Sequence, residues 1–210
     1  MKRAYQRRKV APKVKDGVVQ KKHNHAPTSG LGYVLDRQLP ARGYRHILTK
    51  QDIRDFTDII PDWKSLAVGI EAIMLTARGY DYEGRYEVFS REKTALLEIP
   101  AWEGALWTCF TDAYFNQHRT IFERIGLAFE KVEDGVECRF TRAQAKAFLL
   151  LHVFVHELGH HVDRMQTKRQ DASIRGEEFA ERYANKMLDR LWPAYLERFG
   201  DPRIDEGGAR

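Results

Sequence analysis

The chain is poor in cysteine. Its 210 residues hold only two, Cys109 and Cys138. They are far apart and sit in no CxxC pattern, which excludes a disulfide framework and a thiolate-based metal centre. Two ordinary thiols suit a reducing compartment, so the expected location is cytoplasmic. Long apolar runs are also missing. The longest, Ala147–Val155, is interrupted by His152 and falls far short of the roughly 20 residues that span a bilayer. No membrane segment is expected. The N-terminal MKRAYQRRKVAPKVKDG is basic but has no apolar stretch behind it, so no secretory signal is expected. Hydrophobic residues make up 43% and charged residues 31%, which favours one globular domain with a real core over disorder.

Charge is unevenly spread. Residues 1–25 hold nine Lys or Arg and one acid, Asp16, a local charge of +8, whereas the whole chain carries +5, so the rest is acidic. The high isoelectric point therefore belongs to the N-terminal arm. Residues 1–30 read as a flexible basic arm that closes on the breaker cluster Ala26–Gly30, and residues 31–210 as the folded domain. Such an arm can make weak, salt-sensitive contact with nucleic acid; the alternative is a solvated extension.

Within the domain, Thr49 and Asp52 read as a helix cap ahead of Ile53, Phe56, Ile59 and Ile60, and Pro61 ends that helix. Ser65–Thr76 reads as a buried strand, with a turn at 78–81. Arg85–Ser90 and Thr94–Ile99 read as two more strands, giving a small sheet of about three. Trp107–Glu130 reads as largely helical, with Phe110, Tyr114, Ile121, Ile125 and Phe129 inward, and Asp134 and Gly135 as a turn. Thr141 and Gln144 form a capping box, in which each side chain satisfies the other's free backbone N–H. The helix they open has Ala143, Ala147, Leu150, Leu151, Phe154, Leu158 and Val162 on its apolar face. A second helix runs from about Ile174 to Leu191. Pro193 interrupts it, and a short last helix ends near Gly200.

The chemistry lies at His156-Glu-Leu-Gly-His160, which matches HExxH. Helical positions i and i+4 share a face one turn apart, so His156 and His160 can bind one zinc ion. Zinc lowers the pKa of a bound water, and Glu157, next to the first ligand, is placed to take its proton. Two packed core histidines would be the bland reading. A dense cluster of titratable groups among Phe154, Val155, Leu158 and Val162 argues against it, because burial without a metal or partner is costly. Gly159 costs about 1 kcal/mol inside a helix relative to Ala, which makes sense if something, such as a strand, approaches the helix closely there. A catalytic zinc needs a third protein ligand. Asp163 shares the histidine face; Glu177 on the next helix closes the site from another direction and is preferred on that geometry. His152 and His161 fall outside the ligand register and read as supporting or packing residues.

HELGHH followed by E-x-x-A-E-x-x-A resembles the gluzincin group of zinc metallopeptidases, and within it is most similar to the ImmA/IrrE type, whose second motif resembles E-x-x-A-N-x-F-A. The likeness covers about residues 141–192. It implies an α+β, zincin-like fold: a small mixed β-sheet packed on an active-site helix and a following ligand-bearing helix. It implies Zn2+ held by His156, His160 and Glu177, with Glu178 as the rival for the third place. Glu181 stands where relatives often carry an Asp or Asn that orients a metal-binding histidine, and so departs from the pattern. The resemblance also implies a protein or peptide substrate bound along an edge strand, for which Thr94–Ile99 is the expected strand. Tyr114, His118 and Tyr183 are candidate donors to a reaction oxyanion. The expected function is zinc-dependent peptide-bond hydrolysis with Glu157 as general base. The alternative is a non-hydrolytic zinc-containing regulatory protein that binds DNA or a partner.

Overall fold

The computed structural model describes residues 13–15, 18–20, 32–78, 83–170 and 172–204. Most of the basic arm, with His23 and His25, lies outside them, as does nearly all of the turn expected at 78–81. Within the arm, β1 (Lys13–Lys15) and β2 (Val18–Gln20) pair antiparallel. The domain continues with β3 (Val34–Arg37), β4 (Tyr44–Arg45), α1 (Lys50–Ile59), α2 (Trp63–Leu66), β5 (Ile70–Thr76), β6 (Arg85–Phe89), β7 (Thr94–Pro100), β8 (Trp102–Glu103) and β9 (Trp107–Phe110). Then come α3 (Asp112–Gln117), α4 (Arg119–Arg124), β10 (Ala128–Val132), β11 (Gly135–Arg139), α5 (Arg142–Phe148), a π-helical stretch Leu149–Phe154, α6 (Val155–Met165) and α7 (Gly176–Phe199). The class is mixed α+β, and no helix among the described residues is long and apolar enough to cross a membrane.

The main sheet has four strands in the order β3-β5-β7-β6. The first three run parallel and β6 pairs antiparallel with β7. Alternation along the strands splits the sheet into two apolar faces. Leu35, Ile73, Leu75, Leu97 and Ile99 join the principal core, whereas Val34, Ala72, Met74, Phe89 and Leu96 form a smaller cluster. β7 is thus an interior strand buried on both faces. The expectation that Thr94–Ile99 is an edge is wrong, and the edge beside the helices is β6. The sheet is also larger than three strands, because β3 joins β5 across α1 and α2. The sequence 65–69 adds a helical turn, and the buried strand begins only at Ile70.

Trp107–Glu130 is not largely helical. It holds β9, α3, α4 and the start of β10, and β10-β11-β9 form a second, antiparallel sheet. Phe110 points inward from a strand, and Phe129 is 48% exposed and not a core residue. Trp107, Thr108 and Phe110 are β-favouring residues, and their pairing with β11 outweighs the local helical spacing.

Both capping boxes form. Thr49 and Asp52 close the start of α1, and Thr141 and Gln144 that of α5. The apolar face drawn back from α6 to Ala143 is out of phase, since Ala143 is exposed and Gln144 and Ala145 are buried. The π-helical stretch inserts one extra residue into the turn and rotates everything before it. α7 runs through Pro193 without a break. Pro193 and Asp189, whose carbonyl loses its helical donor, are both exposed, so water can take that bond. Leu191, Trp192 and Tyr195 are buried around them and anchor this part of the helix. Gly200, at φ 84°, ends it as expected.

Candidate metal centre

α6 lies across β6 and β7 on one side and against α7 on the other. The closest approach is at Gly159, where a Cβ would stand 2.9 Å from Ala180 Cα and 3.3 Å from Tyr183 Cβ. The element that needs this glycine is therefore the second helix and not a strand. That contact sets α7 so that Glu177, in its first turn, faces His156 and His160.

His156 Nε2 lies 3.0 Å from Glu177 Oε2, and His160 Nε2 lies 3.4 Å from Glu177 Oε1. One donor atom from each of the three residues falls within 4.8 Å of the others. Glu178, the one-residue rival, turns away to Arg182 at 3.4 Å. Asp163 is occupied elsewhere. It accepts from the Ser173 hydroxyl at 2.7 Å, the Arg175 backbone N–H at 2.7 Å and Arg175 Nε at 2.6 Å. Burial pushes its pKa up, but the Ser173 and Arg175 bonds outweigh that and hold it below the usual carboxylate range. The stability it carries is thus present at neutral pH and lost as pH falls through its lowered pKa. Asp163→Ala should cost about 1.5–3 kcal/mol, as for a hydrogen bond to a charged group. Urea unfolding at pH 7 measures it, and the gap to wild type should shrink in acid.

The hydrogen bond behind His160 favours a metal-ready tautomer. Ser173 gives its proton to Asp163, so its oxygen can accept from His160 Nδ1, 3.4 Å away. That leaves the lone pair on Nε2, facing Glu177. His156 differs: its Nε2 bonds the Glu177 carboxylate at 3.0 Å, and its Nδ1 faces Glu181 Oε2 at 3.4 Å without a hydrogen bond. Glu181 thus reaches the histidine that the departing motif left in doubt. His161, which is fully buried, sits behind the site. Its Nε2 donates to Val68 O at 3.0 Å, so Nδ1 accepts from the Tyr86 hydroxyl at 3.1 Å. Burial, and then Arg164, lower its pKa to about 4, so it stays neutral. Tyr86 in turn stacks on His160, with ring centroids 6.1 Å apart. Nothing in the sequence singled out Tyr86, because its role depends on a contact across 75 residues.

Glu157 is 5% exposed. Burial, opposed by His156 and reinforced by Glu177, Glu83 and Glu98, pushes its pKa up to about 8. A bound divalent cation would oppose this by favouring the carboxylate. Gly84, just before β6, allows the strand backbone to pass close by. A Cβ there would meet Glu157 Cγ and Oε1 at 2.7 Å. These groups open into a cleft of about 540 Å³, walled by the start of β6, by α6, by the first turn of α7 and by Tyr114 and His118. Of the three candidate oxyanion donors, Tyr183 does not line it. No family model, curated protein or solved structure matches the chain.

Proposed function

We propose that the chain is a zinc-dependent peptide-bond hydrolase of zincin-like fold. The observation that carries this is the convergence of His156 Nε2, His160 Nε2 and the Glu177 carboxylate beside a buried Glu157 at the wall of an open cleft. Two imidazoles and one carboxylate suit zinc in its catalytic form, in which three protein donors leave one position free. When bound, the ion supplies Lewis acidity and lowers the pKa of water. Glu157 serves as the general base that removes the proton and later returns it to the leaving amine. Its burial and the Gly84 contact keep it in one place.

The substrate is a protein or peptide in extended form. β6 is the edge that borders the cleft, with Arg85, Tyr86 and Val88 in its wall, and among the described residues only one of its sides is paired in the sheet. A peptide added there gains backbone hydrogen bonds along the strand, whatever its side chains. A glutamate held as Glu157 is held has no use in a purely structural zinc site, which argues against a regulatory protein without hydrolysis.

Cleavage of an unstructured peptide mixture, followed by mass spectrometry, tests the reading. A chelator should abolish cleavage and zinc should restore it; cleavage that survives chelation sinks the proposal. Glu177→Ala should weaken zinc binding by more than about 10²-fold, whereas Asp163→Ala, acting through Ser173 and His160, should cost about 10–100-fold, the usual range for an outer partner. Glu178→Ala should change it little. Gly84→Ala should lower the cleavage rate by about 10²-fold through displacement of Glu157, with zinc content unchanged.

A further inference from the structure

Below the first cluster lies a second. His118, which joins α3 to α4, His152 in the π-helical stretch and Glu181 in α7 bring one donor atom each within 4.8 Å of one another. His152 Nε2 is 3.5 Å from Glu181 Oε2. The rings of His118 and His152 stand 4.6 Å apart at 77°. Those of His156 and His160 stand 4.9 Å apart at 75°. The two histidine pairs thus share nearly the same mutual geometry.

The geometry points to a second divalent-cation site, built from His118, His152 and Glu181 and opening into the same cleft. Proton accounting supports it. His118 Nδ1 lies 2.8 Å from Tyr114 O, which can only accept, so Nδ1 carries the proton and Nε2 presents a lone pair. Asn185 Nδ2 donates to Glu181 Oε1 at 3.0 Å and aims the other oxygen inward. That oxygen, Oε2, is buried and makes no hydrogen bond. A neutral His152 has a single proton to offer. Glu181 Oε2 is thus a buried acceptor whose nearest donors, His156 Nδ1 at 3.4 Å and His152 Nε2 at 3.5 Å, make no hydrogen bond to it, an arrangement that costs free energy. A cation held with the His118 and His152 nitrogens would answer it. Two nitrogens and one carboxylate suit zinc, iron(II) or cobalt(II) rather than magnesium or calcium. The π-helical stretch is a departure from regular helix that proteins use most often at functional sites. Here it delivers His152.

The test is equilibrium dialysis of the full chain, stripped by chelator and then returned to zinc, with bound zinc read by atomic emission and folding by circular dichroism. The wild type should bind about two ions per chain, following the two donor sets. His118→Phe, which suits the aromatic surroundings of that ring, and His152→Asn should each lose one ion and keep the other. His160→Ala should also fall to one. If the wild type binds one ion that His160→Ala loses and His118→Phe keeps, the second site is absent and the first stands. If that ion is instead lost in His118→Phe and kept in His160→Ala, the second site stands and the hydrolase reading fails. Two ions in both the wild type and His118→Phe place the second ion elsewhere and overturn the inference, as does a chain that binds none.

Discussion

Replacing Glu157 with glutamine is expected to slow peptide cleavage by about 10²–10⁴-fold, the usual worth of a positioned base, while zinc stays bound. Glutamine keeps the shape of the side chain and cannot take a proton. The same variant has a second readout that needs neither substrate nor metal. In the zinc-free chain the Glu157 pKa is raised from 4.5 to about 8. The native state then holds a proton that the unfolded chain has released, so stability falls as pH rises through that window, by at most about 1.4 kcal/mol per pH unit. Glutamine has no charge to desolvate. The zinc-free variant should therefore be more stable than the wild type above about pH 5, by a margin that grows until about pH 8. Parallel denaturation curves at pH 5, 6.5 and 8 measure this. Equal cleavage by variant and wild type would reject the base, and a margin that does not grow with pH would reject its burial.

The second large effect is expected at Gly159. Alanine would gain about 1 kcal/mol of helix propensity there yet would put its Cβ 2.9 Å from Ala180 Cα. Backbone cannot yield as a flexible side chain can, so α7 has to move. A valine adds two more carbons and a stiff side chain, and should cost about 2–3 kcal/mol net of the propensity gain, as overpacking does. For a domain of this size that is a fall of about 5–10 °C in melting temperature. Because Glu177 rides on α7, zinc affinity should drop as well. Differential scanning calorimetry with and without zinc separates the two losses. A valine variant that melts as the wild type does would mean that the helices are not packed this closely.

What could be read from the sequence was local. The two capping boxes need only residues three apart, and the pairing of His156 with His160 needs only one helical turn. The second helix announced its apolar stripe, and Glu177 lay at its start. What could not be read depended on distant partners. β9 and β10 look helical until β11 is there to pair with them. β7 looks like a free strand until β6 is known to cover it. The π turn shifted the stripe at Ala143 without any signature of its own. Gly84 has no visible purpose until Glu157 is set against it, and His118 has none until the fold brings it to His152, 34 residues on.

α7 is one unbroken rod of 24 residues, about 36 Å from end to end at the usual rise. Its first turn carries Glu177, the proposed third metal donor, while its far half is clamped by Arg124 to Asp189, by Arg198 to Asp55 and by the stacked Trp192, Tyr195 and Phe199. The position of Glu177 is therefore held from the far half of the helix as well as at Gly159. Substitutions that loosen this aromatic anchor should register as weaker metal retention, and the protein's chemistry should be adjustable from a surface that never meets its substrate.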